Sequence, residues 1–195
     1  MRITGRTLLI VTTLLLGACA APLATSAPSQ PAAPASPAAG ASAGSSATPD
    51  WYGIELTDVR TGRPFTINDF AGKVVLVEAM AEWCPTCIEQ QREVGKLHEQ
   101  LANPDDLVSI SLDIDINEDG PSLKTYAEAL GHDWRYAVAP LDVARALGNL
   151  YSAEYLNPPY SPILLIDRDG VATSLPYGVK TADYLQTTLA PYLSH

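Results

Sequence analysis

The sequence predicts an α/β fold in which a central mixed β-sheet has helices on both faces and a β-hairpin is added at the N-terminal end. Strand-like runs alternate along the chain with segments of helical periodicity. The run at residues 74–80 (VVLVEAM) is apolar enough for a central strand that is covered on both faces. A hairpin turn at Arg168-Asp169-Gly170, between two late strand-like runs, indicates that part of the sheet is antiparallel.

Each element is predicted by its own pattern. Short alternating runs at residues 54–57 and 65–67, with a turn between them, predict the N-terminal hairpin. Apolar or alternating runs predict the strands of the sheet, at residues 74–80, 107–114, 134–138, 163–166 and 171–175. Apolar residues at helical spacing predict four helices: one that begins at Cys84, one from Ser122 to Gly131, one around 143–151, and one from about 181 to 189 or beyond.

The N-terminal region has the pattern of an export signal followed by a tether. Residues 1–18 begin with two arginines and continue with an apolar stretch that is too short to span a bilayer. The sequence LGAC at 16–19 resembles the lipobox of bacterial lipoproteins, which implies cleavage before Cys19 and its acylation; an ordinary secretory signal is the alternative. Residues 19–49 are rich in Ala, Pro and Ser and lack charge, which predicts a disordered tether before a folded domain at 50–195.

Charge and cysteine count narrow the class of protein. The chain has 12 Lys and Arg against 22 Asp and Glu, and two of the arginines lie in the predicted signal, so the domain is strongly acidic. Such a surface argues against binding to nucleic acid.

Of the three cysteines, Cys19 is assigned to lipid and the other two lie close together, so none remains for a structural disulfide. In an exported protein this indicates that the pair serves exchange.

The segment WCPTC at residues 83–87 is the predicted redox site. It joins the strand at 74–80 to the first predicted helix, so that Cys84 lies where the first helical N–H groups have no intrahelical partner. These groups and the helix dipole favour a thiolate over a thiol, which predicts Cys84 as the attacking sulfur. Pro85 suits the first helical position. Cys87, one turn further, can close a disulfide with Cys84.

Two other interpretations of the cysteine pair stay open from the residues alone. One is a structural disulfide. The other is half of a metal site, which would need further ligands from His98, His132, His195 or carboxylates. Exchange chemistry is favoured over both, and the predicted site contains no metal.

Glu78 is the one acidic residue in the apolar run 74–80. If it is buried there, desolvation raises its pKa and allows it to hold or accept a proton. The alternative is a polar residue at the edge of a strand.

Residues 75–87 resemble the active-site strand and motif of thioredoxins. The run GKVVLV at 72–77, which follows a hairpin and a short Asn-Asp-Phe turn, is more similar to the membrane-anchored TlpA/ResA-like branch of that superfamily. The resemblance implies a thioredoxin-like fold, thiol-disulfide oxidoreductase activity, no cofactor beyond the redox-active disulfide, and a monomer. It also implies a place on the outer side of the cytoplasmic membrane, in the periplasm or at the cell exterior.

The resemblance also assigns roles to individual residues. Cys84 matches the nucleophilic cysteine, Cys87 the resolving cysteine, and Glu78 the buried acid that moves a proton to or from the resolving thiol. Pro162, after Ser161, looks like the cis-proline that faces the motif. Together with Trp83, Pro85 and Thr86, the pair Ser161-Pro162 is expected to contact the substrate. The chain departs from cytoplasmic thioredoxins in having Pro-Thr between its cysteines, and in the insertion NPPY at 157–160.

The resemblance further implies that the partners are thiols and disulfides of exported proteins and a membrane electron donor, and that the protein serves cytochrome c maturation. A copper-binding chaperone on the same fold is an alternative, although that class usually has three residues between its cysteines. A peroxide-handling protein is another, but the motif Pro-x-x-x-Thr-x-x-Cys is missing. Residues 115–120 match half of a calcium loop, yet its twelfth position is Tyr126, so a strand-to-helix turn is predicted.

Overall fold

The computed structural model describes residues 48–101 and 103–193. The predicted signal peptide, Cys19, most of the predicted tether and His195 lie outside the described residues. Within the described residues, no helix has the length and apolar character needed to cross a membrane.

A five-stranded mixed sheet forms the centre of the fold, in the order β5-β4-β3-β6-β7. Strands β3, β4 and β5 are parallel, whereas β6 is antiparallel to β3, and β7 to β6. A separate antiparallel hairpin, β1 with β2, precedes them. The strands are β1 Leu56–Asp58, β2 Arg63–Phe65, β3 Val74–Met80, β4 Leu107–Asp113, β5 Arg135–Val138, β6 Ile163–Ile166 and β7 Ala172–Ser174. This confirms the predicted mixed sheet with an added N-terminal hairpin.

In the described residues, three α-helices connect strands of the sheet, α1 Pro85–Gln100, α2 Gly120–Leu130 and α3 Leu141–Leu150, and a fourth, α4 Ala182–Leu193, follows β7. Helix α2 ends as predicted at Gly131, which adopts the left-handed conformation that favours glycine, with φ 72°. The sequence left the end of the last helix open beyond residue 189, and α4 continues past Pro191. Short 3-10 turns occupy several of the connections, including Ile67–Phe70 and Pro158–Tyr160.

Strand β3 is buried on both faces, as its apolar sequence predicts. Its alternate side chains enter two different clusters. One cluster joins Val74, Leu76 and Met80 to α1, α2 and α4, through Val94, Leu97, Leu123, Ala127, Leu185 and Leu189. The other joins Val75, Val77 and Ala79 to α3, the hairpin and the residues before it, through Trp51, Tyr52, Phe65, Val143 and Leu147. Apolar contacts on both sides therefore fix β3, the strand that leads into WCPTC.

One local expectation was wrong. Ile67 belongs to a 3-10 turn and not to the second hairpin strand. His98 and His132, named above as possible metal ligands, are partly exposed, and both rings stack on the indole of Trp134. Burial lowers the pKa of each of the two imidazoles.

A buried hydrogen bond fixes the start of β6, the strand that follows Pro162. The Tyr155 hydroxyl donates to the carbonyl oxygen of Ile163 at 2.9 Å, and the ring of Tyr155 is buried in the α3 cluster. The same carbonyl accepts the backbone N–H of Leu175. Tyr155 therefore ties the turn after α3 to the strand that carries the predicted proline.

We predict that Tyr155→Phe lowers the free energy of unfolding by about 1 kcal/mol, because it removes one buried hydrogen bond and leaves the ring packing in place. Urea denaturation of the oxidised protein measures this. Tyr184→Phe is the control, since its ring is well exposed. Equal stability of the two variants would contradict the structural role of the Tyr155 hydroxyl.

Candidate active site

Cys84 and Cys87 form a disulfide at the start of α1, with 5.3 Å between their Cα atoms. Cys84 is the N-cap residue: its backbone is extended, at φ −88° and ψ 108°, and Pro85 opens the helix. The Cys84 sulfur accepts the backbone N–H of Cys87 at 3.2 Å. The Cys84 sulfur therefore lies at the start of the helix, where a backbone N–H group donates to it and the helix dipole provides positive potential.

Neither cysteine is exposed in this oxidised form; both have 0% accessible surface. The segment Pro158–Tyr160 lies against the motif: the Pro158 carbonyl oxygen is 3.5 Å from the Cys87 sulfur. The Thr86 hydroxyl donates to the Pro159 carbonyl at 3.2 Å and lies 3.3 Å from the Cys84 sulfur. An incoming thiolate can reach Cys84 only after these covering groups move.

The structure brings Ser161 and Pro162 to the same edge of the sheet as the motif, beside the carboxyl end of β3. The carbonyl of Pro162 accepts the backbone N–H of Ala79 at 3.2 Å, which continues the β3–β6 pairing. Ser161 is buried and has a left-handed backbone with φ 46°, a region that non-glycine residues rarely occupy. The inserted residues 157–160 thus form the turn that covers the disulfide, a role that the sequence did not indicate.

Trp83 and Pro85, two of the predicted substrate-binding residues, face solvent. The Trp83 side chain is 55% exposed, and its indole N–H donates to the Asp115 carboxylate at 2.7 Å. On the covering segment, the Tyr160 ring is also exposed and lies 5.7 Å from that of Tyr177. Aromatic side chains therefore flank the motif, in positions that suit contacts with a polypeptide.

Glu78 is buried in β3, with 4% of its surface exposed. The Ser111 hydroxyl donates to its Oε2 at 3.4 Å, and within the described residues its Oε1 has no partner at hydrogen-bond distance, although the nearby Gln91 side chain also favours the ionised acid. Burial raises the pKa of Glu78 to about 8, and the positive charge of Lys180 partly opposes this shift. The direction is the one that an acid in an apolar strand is expected to show.

Polar residues that no motif in the sequence assigns to the site lie around this acid. Gln91, buried on α1, accepts hydrogen bonds from the hydroxyls of Tyr126 at 3.3 Å and Tyr136 at 3.1 Å. The Trp134 indole donates to the Ser111 hydroxyl at 3.0 Å. A hydrogen-bonded network thus lies within the α1 side of the core, where helical periodicity alone predicts apolar residues.

Lys180 is the second buried charge of the site, and nothing in its local sequence singled it out. Its ammonium donates to the carbonyl oxygens of Ser161, of Gly178 at 2.6 Å and of Pro176 at 3.2 Å. The Gln90 side chain holds the backbone of Lys180 through bonds of 2.7 and 3.1 Å. Burial lowers the pKa of Lys180 to about 8, against the attraction of Glu78.

The turn at residues 115–120 behaves as a strand-to-helix connection, as predicted. Asp119 caps α2 by accepting the backbone N–H of Ser122 at 2.9 Å. Among the described residues, a set of carboxylates that could hold a metal ion combines Glu118 from this turn with Glu82 and Asp113.

The fold and a disulfide at the start of a helix define a thioredoxin-like thiol-disulfide oxidoreductase. The sequence profile of the family Redoxin matches residues 39–188. The chain therefore belongs to the Redoxin family. No curated protein matches the chain at a significant level.

Solved structures with the same fold come from several bacteria. A thiol:disulfide interchange protein of the thioredoxin family from Chlorobium tepidum is 19% identical, with a TM-score of 0.62 over 72% of this chain and 93% of its own. A secreted Mycobacterium tuberculosis disulfide oxidoreductase is 18% identical, with a TM-score of 0.54 over 71% and 95%. The exposed lipoprotein thioredoxin Etrx1 from Streptococcus pneumoniae is 21% identical, with a TM-score of 0.54 over 71% and 98%.

We predict that Glu78 makes the oxidised protein less stable as the pH rises from about 4.5 to about 8. The folded-state pKa of Glu78 is about 8 and its ordinary value is 4.5, so the folded state binds more protons in this window. At about 1.4 kcal/mol per pKa unit, the effect on the free energy of unfolding reaches at most roughly 5 kcal/mol. Denaturation of wild type and Glu78→Gln across this pH range measures the difference.

The exposed Glu99→Gln is the matched control and should retain the wild-type pH dependence. Lys180→Gln should move the loss of stability that Glu78 causes to higher pH, because it removes the charge that favours the ionised acid. Parallel pH profiles for wild type and Glu78→Gln would show that Glu78 does not titrate in this way.

Proposed function

We propose that the protein carries out thiol-disulfide exchange outside the cytoplasm, with Cys84 and Cys87 acting on cysteines of exported proteins. The observation that carries this proposal is the disulfide whose Cys84 sulfur caps the first turn of α1. A thiolate formed there is stabilised by the N–H of Cys87 and by the helix dipole.

The exchange has two steps. The reduced Cys84 thiolate attacks a substrate disulfide, forms a bond to one substrate sulfur and expels the other as a thiolate, which takes up a proton. Cys87 then loses its proton and attacks the Cys84 sulfur; the Cys84–Cys87 bond forms and the second substrate sulfur leaves as a thiol. The two electrons move from the cysteine pair to the substrate. The reverse sequence, with a thiol donor, restores the dithiol.

Glu78 serves in this scheme as the proton acceptor and donor for Cys87. Its pKa of about 8 lies close to neutral pH, where a carboxyl group can both hold and release a proton. Substrate approach displaces the segment Pro158–Tyr160, and Trp83, Pro85, Thr86, Ser161 and Pro162 contact the polypeptide around the reacting cysteine.

We further propose that the protein is a lipoprotein of the TlpA/ResA-like branch, anchored to the membrane through Cys19. The sequence LGAC at 16–19 and the uncharged segment that follows it support an anchor with a spacer. The run GKVVLV at 72–77 supports the branch. Among proteins of similar fold, the M. tuberculosis protein is secreted and the S. pneumoniae protein is an exposed lipoprotein, in agreement with this location.

We also propose that the protein acts as a monomer and that its partners are exported proteins with thiols or disulfides and a membrane electron donor. Reduction of cysteines before cytochrome c maturation is one role that this location would allow. The uncovered surface at Trp83, Tyr160 and Tyr177 supports polypeptide partners, since aromatic side chains are enriched where proteins contact each other.

We predict that Cys87→Ser accumulates mixed disulfides between Cys84 and exported proteins, because the second step of the exchange is lost. Trapped partners can be separated on non-reducing gels from cells that express the full chain, and then identified after reduction. The matched control, Cys84→Ser, retains a cysteine but lacks the attacking sulfur and should trap far less.

The purified wild-type protein should also catalyse insulin reduction by dithiothreitol, and both variants should lose this activity. Absence of trapped partners and of insulin reduction, in variants that keep the native fold, would contradict the proposed exchange. Stoichiometric Cu(I) binding by the reduced protein without insulin reduction would instead support a copper chaperone.

A further inference from the structure

We propose that Glu82, Asp113 and Glu118 form a binding site for a hard divalent cation, Ca²⁺ in the first instance, beside the cysteine motif. One carboxylate oxygen from each residue can be chosen so that all three lie within 4.8 Å of one another. Two oxygens that bind the same Ca²⁺ at about 2.4 Å are at most about 4.8 Å apart, so this spacing fits one shared ion.

The topology of the sheet brings the three residues together. Glu82 lies between β3 and α1, Asp113 ends β4, and Glu118 lies in the turn before α2. Strands β3 and β4 are parallel neighbours, so their carboxyl ends meet at the same edge of the sheet. The set therefore combines three separate segments and differs from a linear calcium loop, which Tyr126 at the twelfth position excludes.

Each carboxylate is already oriented by a hydrogen bond to one of its oxygens. The Ser122 hydroxyl donates to Glu82 Oε1 at 2.7 Å, and the Glu82 backbone N–H donates to Glu118 Oε2 at 2.8 Å. The Asp115 backbone N–H donates to Asp113 Oδ1 at 2.9 Å. Hydrogen bonds of this kind, from groups that do not bind the ion themselves, orient the ligands of metal sites. The second oxygen of each carboxylate is left to bind the ion.

Asp113 provides the separate observation that indicates a ligand. Its side chain has 0% accessible surface, and its Oδ2 accepts no hydrogen bond from an N–H or hydroxyl group among the described residues; the side-chain neighbours of the Asp113 carboxyl group are the carboxyl groups of Glu118 and Glu82. Buried carboxylate oxygens are normally hydrogen-bonded, paired with a cation or bound to a metal. Within residues 48–101 and 103–193, no lysine or arginine forms a salt bridge with any of the three acids. A divalent cation would supply the missing partner and neutralise the clustered charge.

The chemistry of the donor set selects the class of ion. All three ligands are carboxylate oxygens, which suit Ca²⁺, Mg²⁺ and Mn²⁺ and not the softer ions that prefer thiolate or imidazole. Three protein ligands leave coordination positions for water, which is common in sites of modest affinity. The site is independent of the proposed exchange activity, because it uses neither Cys84 nor Cys87.

Calorimetric titration of the oxidised protein with CaCl₂ and, separately, MgCl₂ tests the proposal, together with Tb³⁺ luminescence excited through tryptophan. We expect one Ca²⁺ per chain, with a dissociation constant in the range of about 10⁻⁴ to 10⁻³ M. Glu118→Gln and Asp113→Asn should each weaken binding by at least about tenfold. Glu99→Gln, at an exposed site, should bind like wild type.

Glu118→Gln keeps the test valid if Asp113→Asn fails to fold, because Glu118 is only partly buried. No saturable binding of Ca²⁺, Mg²⁺ or Tb³⁺ up to about 10 mM would overturn the proposal, since even weak extracellular sites bind in that range. Equal binding by wild type and both ligand variants would overturn it as well, because the ion would then lie elsewhere. Either result leaves the insulin and trapping assays unaffected, so the two proposals fail separately.

Discussion

The start of helix α1 at Cys84 is the constraint on which the site depends. Pro85 has no backbone N–H group, which suits the first position of a helix, where this group has no intrahelical partner. The helix therefore begins at Pro85, and Cys84 becomes its N-cap residue. The sulfur then takes the place of the side-chain oxygen that usually accepts a first-turn N–H. Because β3 is the central strand and is packed on both faces, it fixes this helix start at the carboxyl edge of the sheet.

A single lysine, Lys180, connects helix α1 with the segment that precedes β6. Lys180 donates to the carbonyl of Ser161, next to the segment that covers the disulfide, while its own backbone is held by Gln90 of α1. The helix that carries the cysteines and the segment before β6 therefore share one buried cation. If the covering segment moves toward solvent and Ser161 moves with it, the bond between Lys180 and the Ser161 carbonyl must break. This bond therefore limits how the disulfide becomes accessible.

The sequence was informative wherever a local pattern determines the structure. The apolar run of β3, the alternation of β4 and the glycine after α2 each predicted an element correctly, because burial and backbone preference act on neighbouring residues. Polar residues inside the core were missed. Gln91 and Lys180 are ordinary surface residue types, and only tertiary contacts with distant residues such as Tyr136 and Ser161 make their burial possible.

The same limit explains why one part of the redox site was predicted from the sequence and the other part was not. The CxxC pair and Glu78 lie in one continuous segment, 78–87, so their placement follows from a strand that leads directly into a helix. The covering turn 158–160 and the buried Ser161 are brought to that segment by the antiparallel pairing of β6 with β3. Strand order is a property of the whole sheet, and the sequence of the turn does not specify it.

The balance of charges around Glu78 favours one direction for its proton in the oxidised form. Burial favours the neutral acid and Lys180 favours the ionised one, and the resulting pKa of about 8 leaves Glu78 mostly protonated at neutral pH. When a donor thiolate attacks Cys84 in the proposed exchange, Cys87 leaves as a thiolate that needs a proton, and a protonated Glu78 can supply it. The ionised Glu78 that remains is then stabilised by Lys180 until Cys87 must be deprotonated again. A buried acid without this cation would hold its proton too tightly to serve the second half of the cycle.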